Sequence, residues 1–146
     1  MTFSASSPFR RRALAGALAM AAIAVAGCSD DKAADEAATV TAPAVVTFRV
    51  ADSEEYKVEL TTDELVEHAR ALLEGESVAA IPLGTVVRDG PGVNTGWSWH
   101  IDPATFSFAQ VTIEVCDGLP SHVEDQTVTS PDYCPWSAKV VALEAL

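Results

Sequence analysis

VVTFRVADSEEYKVELTTDELVEHARALL, residues 45–73, carries the two periods that set the fold class. Val46, Phe48 and Val50 alternate with Thr47 and Arg49. After the polar turn Ala51–Glu54 the alternation returns, with Tyr56, Val58 and Leu60 set between Lys57 and Glu59. A period of two places successive side chains on opposite faces of a strand, so this pair reads as a β-hairpin with one apolar face. The period then changes. Leu65, Val66, Ala69, Leu72 and Leu73 recur at the spacing of one helical face. Thr61, three residues ahead of Glu64, predicts a capping box at the helix start, and Gly75 predicts the left-handed residue that closes its end. Glu64 with His68 and Glu67 with Arg70 are expected as solvent-side pairs, with His68 on the surface.

Downstream the strand period resumes in Ile81, Leu83 and Thr85-Val86-Val87. Gly90-Pro91-Gly92 and Asn94-Thr95-Gly96 bracket a loop. Trp97 to Ile101 reads as a short strand closed by Asp102-Pro103. Phe106 to Cys116 is the longest strand candidate, with Val111, Ile113 and Val115 on one face. Phe106 and Phe108 fall on the other face, which needs either cover on both faces or a bulge. A short helix is expected over Pro120–Gln126 and a last strand over Ala138–Leu143. The order β-β-α-β-β-β-(α)-β calls for an α+β fold: an antiparallel sheet with one main amphipathic helix packed on one face.

The stretch ahead of this domain is of another kind. Ser4–Arg12 is polar and basic, Ala13–Ala26 is uncharged and Ala-rich, and Val25-Ala26-Gly27-Cys28 follows. A basic start, an apolar run too short for a membrane span and a small-residue cleavage site are the layout of a signal peptide. The last four residues resemble the lipobox of bacterial lipoproteins. That resemblance implies cleavage before Cys28, acylation of Cys28, and a protein held in the cell envelope by its lipid, facing the periplasm or the extracellular side. Several buried acyl chains give stable anchoring, at about 0.8 kcal/mol per CH₂. Residues 1–27 are then the signal peptide, 28–44 a lipidated flexible tether, and 45–146 one small acidic domain. The tether SDDKAADEAATVTAPA, residues 29–44, has almost no large apolar side chain.

The 146 residues carry 9 basic and 21 acidic side chains. Removing residues 1–27 takes away Arg10, Arg11 and Arg12 and no acid. The field of the mature chain therefore repels nucleic-acid phosphates and anionic surfaces, and no nucleic-acid partner is expected. The membrane is reached through the N-terminal lipid, and a protein or small-ligand partner remains open.

With Cys28 acylated, Cys116 and Cys134 remain, and in an exported domain the default is a disulfide between them. Metal ligation would want further Cys or His at regular spacing. The densest polar group in the sequence, His100, Asp102, Asp117 and His122, supplies a conceivable set of two His and carboxylates for a metal-dependent module or small enzyme. The competing reading has Asp102 and Asp117 opening the Asp-Pro and Asp-Gly turns, with His100 paired to a carboxylate. Asn94, Thr95, Gly96, Trp97, Trp99 and Trp136 form a second group. Exposed, they would make a ligand or partner contact surface; buried, the Trp side chains would pack the core over the disulfide. The loop Gly90–Trp99 is also similar to the wedge loop of chagasin-type protease inhibitors. No Gly-X-Ser-X-Gly, His-Glu-X-X-His or phosphate loop occurs, so the domain reads as non-enzymatic, with no cofactor.

The segments Trp97–Pro103, Ile113–Gly118, Pro120–Glu124 and Cys134–Ser137, with the helix Leu65–Leu73, resemble the family named from the N-terminal part of an amoebal calmodulin-binding protein, over about residues 45–143. Related domains occur in secreted or lipid-anchored bacterial proteins. The loop Asn94-Thr95-Gly96 departs from the Pro-containing version that this resemblance implies. Calmodulin binding is not expected here. Calmodulin takes basic amphipathic helices, whereas this one carries Asp63, Glu64, Glu67 and Glu74 on its outside.

Overall fold

The computed structural model describes residues 39–146. The signal peptide, the Cys28 lipidation site and the first part of the tether lie outside these residues. In chain order the elements are β1 (Ala44–Val50), β2 (Glu54–Leu60), α1 (Asp63–Leu73), β3 (Ile81–Val87), β4 (His100–Ile101), β5 (Ser107–Ala109), a 3-10 turn (Glu114–Cys116), α2 (Pro120–Glu124), β6 (Asp132–Tyr133) and β7 (Ala138–Ala145). The α+β class is as expected, with the strands divided between two antiparallel sheets. Among the described residues no helix is long and apolar enough to cross a membrane.

The first sheet has the order β2-β1-β7. The hairpin pairs Phe48 with Tyr56 and Val46 with Val58, so the alternation read from the sequence becomes one apolar face. On the opposite face of β1, Val45 lies between Glu59 and Glu144, and Thr47 between Lys57 and Ala142. β7 carries one extra residue opposite Thr47/Phe48. That bulge brings both Val140 and Leu143, three apart, against the core, which an unbroken period of two forbids. Val66 and Ala69 of α1 are buried in the same core.

The helix begins one residue later than the capping box implies. Thr62, in extended conformation, is the N-cap, and its hydroxyl accepts the Leu65 N–H at 3.4 Å. Glu64 is therefore the second helical residue and cannot close the box. At the far end Gly75 has φ +85°, with Gly75 N–H to Leu72 O at 3.1 Å and Glu76 N–H to Ala71 O at 2.9 Å. This paired closure needs the left-handed residue that Gly provides. Glu67 and Arg70 form the expected ion pair. His68 is not a free surface residue: its Nε2–H donates to Ala79 O at 2.7 Å, and its ring stacks on Phe108 at 4.3 Å.

The second sheet is built around β3, which pairs antiparallel with β4, β5 and β6. Two sequence expectations fail here. The strand over Trp97–Ile101 is only His100–Ile101. The long strand over Phe106–Cys116 is only Ser107–Ala109, followed by irregular chain and the 3-10 turn. The cause is the capacity of β3. Its residues 81–83 pair with β5, 84–85 with β6 and 86–87 with β4, which leaves no ladder for residues 110–116. Gly84 sits at the crowded centre of this strand, where a Cβ would overlap the Ile101 side chain.

The two sheets meet in an aromatic core. Tyr56 stands 5.3 Å from Phe48, 5.3 Å from Tyr133 and 5.9 Å from Trp99, ring centre to ring centre. Burial raises the Tyr56 phenol well above its usual pKa, and Tyr133 adds to the shift. Burial likewise raises Tyr133, with Asp117 and Glu54 adding to it, while the hydroxyl donates to Gly118 O at 2.9 Å. These are the two tyrosines of the chain. A folded-state pKa above the unfolded value means stability is complete below about pH 10 and falls as pH rises past the unfolded phenol. Tyrosinate absorbance and loss of ellipticity should therefore rise together above about pH 10. Ionisation of both tyrosines with ellipticity retained would contradict the packing.

Candidate functional site

The loop between β3 and β4 closes the free edge of β2. Asn94 is 1 % exposed. Its Oδ1 accepts the Lys57 N–H at 2.9 Å, and its Nδ2–H donates to Trp99 O at 3.0 Å. The Trp97 indole N–H donates to Glu55 O at 2.8 Å. Residues 55 and 57 carry the backbone groups that β1 leaves unpaired, so Asn94 and Trp97 do for this edge what another strand would do. Trp99 is fully buried and packs edge-on to Tyr133 at 5.6 Å. Its indole N–H has no partner. Within the group singled out from the sequence, Thr95 and Gly96 are thus exposed at the loop tip, whereas Asn94, Trp97 and Trp99 are tied into the fold.

The polar group is not brought together. His100 Nδ1–H donates to Gly90 O at 2.6 Å. Asp102 closes its turn by accepting the Ala104 N–H at 3.0 Å. His122 Nδ1 accepts the Leu119 N–H at 3.3 Å at the start of α2. Asp117 Oδ1 accepts the N–H groups of Gly118 and Trp136, both at 2.9 Å. Among the described residues no three His, Cys, Asp or Glu side chains converge as a metal site needs.

What the fold does assemble lies along residues 110–117. Cys116 and Cys134 are bonded as expected. Around that link Cys134 N–H donates to Cys116 O at 2.8 Å, and the Trp136 indole N–H donates to Thr112 Oγ1 at 2.7 Å. Two strandless segments are thereby laced side by side. The lacing turns apolar side chains outward: Val111 is 85 % exposed, Ile113 69 %, Val115 66 % and Trp136 48 %. Sequence reading placed the first three on a strand face inside the core, and the structure overturns this. Val111 is flanked by two cavities. One, of about 260 Å³, is bounded by Leu83, Ile113 and Asp132, and the other, of about 200 Å³, by Ile81, Gln110 and Trp136. A third cleft, of about 290 Å³, lies beside Val86, Arg88 and Gln126. There the Arg88 guanidinium already donates to Val123 O at 2.7 Å.

The patch sits at one pole of the domain. Val50 pairs with Ala138, two residues after Trp136, while Ala44 at the other end of β1 pairs with Ala145. Ala51 N–H donates to Ser137 Oγ at 3.1 Å, which fixes the Trp136 turn beside the end of β1. The seven residues of β1 separate this pole from the place where the tether joins the sheet by roughly 20 Å, at about 3.3 Å per residue.

The edge closure is open to test. Asn94→Ala leaves a strand N–H and a buried carbonyl without partners, and should lower unfolding free energy by roughly 1–3 kcal/mol in urea titrations. Asn94→Asp should cost at least as much at neutral pH, because a carboxylate cannot donate to Trp99 O. The protonated acid can donate, so its folded-state pKa is raised and its deficit against wild type should shrink as pH falls. Wild-type stability of Asn94→Asp at neutral pH would refute the role.

Comparison with curated proteins finds no match, and comparison with solved structures finds none. The family model for the N-terminal domain of the amoebal calmodulin-binding protein matches residues 42–146. It is the family that the Trp, Cys and Pro segments resemble, and the match takes in both sheets, both helices and the disulfide. The chain therefore belongs to this N-terminal domain family.

Proposed function

We propose that this protein is an exported lipoprotein, acylated at Cys28 and held to an envelope membrane, and that its folded domain is a non-enzymatic binding module. Its contact surface is Val111, Ile113, Val115 and Trp136. The observation that carries the reading is their exposure. Leaving a large aliphatic side chain in water forgoes about 1.5–3 kcal/mol relative to burying it. Three such side chains in five residues, beside a half-exposed Trp, form a contiguous apolar patch of the kind that marks interaction sites. The disulfide and the hydrogen bonds of Asp117 and Thr112 hold the patch ready, which lowers the ordering cost of binding. The lipobox-like Val25–Cys28 and the apolar run before it support the anchor. The position of the patch, at the pole away from the tether, suits a surface displayed outward from the membrane.

Two experiments on the intact protein in cells test the two halves. Cys28→Ala should abolish incorporation of a tagged fatty acid and release the protein from the membrane fraction; a variant that stays labelled and sedimented removes the anchor. A photo-crosslinking amino acid placed at position 113 should give a discrete adduct, and the same probe at position 59, on the outer face of β2, should not. Equal or absent adducts at the two positions would remove the binding surface.

A further inference from the structure

Resting on the binding surface just proposed, we infer that its partner is a cationic, apolar protein segment: large apolar side chains flanked by Lys or Arg. The apolar part follows from Val111, Ile113, Val115 and Trp136, and the charge follows from what surrounds them. Glu114 is exposed between Ile113 and Val115. Asp132 helps wall the cavity beside Val111 and Ile113, and Asp117 is bonded to the Trp136 backbone. From Asp89 to Ala138 the chain has no Lys or Arg and seven carboxylates. The cations at the two ends of that stretch are engaged elsewhere, Arg88 on Val123 O and Lys139 on Asp52. No basic side chain lines either cavity beside the patch.

The same charges weigh against the other occupants of an exposed apolar surface. A second copy would set Glu114, Asp117 and Asp132 against their own counterparts, and like charges across an interface are costly. An anionic bilayer meets the same repulsion, and the patch lies at the pole opposite the tether. A cationic segment instead gains steering toward the surface before its apolar residues dock.

The test uses the lipidated protein in zwitterionic vesicles and three fluorescent peptides. All three share a Leu- and Trp-containing centre, and they differ in flanks of Lys, Gln or Glu. The Lys peptide should bind at least ten-fold more tightly than the Gln peptide at low salt, the Glu peptide should not bind, and salt should remove the difference. Val111→Ser with Ile113→Ser should weaken the Lys peptide at least ten-fold. Glu114→Gln should bring it toward the Gln peptide. Glu59→Gln, on the outer sheet face, should change little. Each substituted side chain is solvent-facing, and unchanged circular dichroism confirms the fold. Binding blind to peptide charge overturns the inference. So does Lys-peptide binding that survives Val111→Ser with Ile113→Ser, or self-association or vesicle contact through the patch. A discrete adduct at position 113 in cells together with charge-blind binding would sink the cationic partner and spare the surface. Failure of both would sink both.

Discussion

Seven residues of β3 serve three separate strands, and this crowding governs the second half of the chain. No partner strand is longer than three residues, so each is too short to hold by its own ladder. They are held by side chains instead. Thr105 Oγ1 accepts the Thr85 N–H at 3.0 Å, and Asp132 accepts the Thr85 hydroxyl at 2.8 Å. The Cys116–Cys134 link ties the segment after β5 to the segment after β6. Once β3 is saturated, residues 110–117 have no strand to join. Their alternating apolar side chains then face water rather than the core.

The first sheet obeys simpler rules and was the legible part of the sequence. The periods of two in residues 46–50 and 56–60, and the helical spacing from Leu65 to Leu73, are local signals that tertiary context did not override. The disulfide was legible too, because compartment and count left one pairing. The candidate site was not. Val111, Ile113 and Val115 alternate as a buried strand does, and alternation cannot reveal whether a neighbouring strand has an edge left to offer. Asn94 and Trp97 looked like contact residues because a Gly-rich loop with Trp is a common binding feature. Their true partners, the Lys57 N–H and the Glu55 carbonyl, lie some forty residues away and become visible only when β2 is known to be an edge.

Acidity and apolar exposure combine at one pole. A bare apolar patch on a small domain invites self-association, and surrounding carboxylates oppose that. The same carboxylates favour a partner of opposite charge, so solubility and selectivity come from one set of side chains. Family membership fixes the architecture from residue 42 onward, and the functional reading rests on this patch rather than on the loop at Asn94–Trp99.

The central claim is that residues 111–115 stand clear of the core in the isolated, oxidised protein. Hydroxyl-radical footprinting read residue by residue by mass spectrometry tests it most directly. Val111, Ile113, Val115 and Trp136 should label strongly while Phe48, Phe106 and Trp99 stay protected. Protection of Val111, Ile113 and Val115 equal to that of Phe106 in a monomeric sample would mean that the segment is a core strand, and would contradict the account.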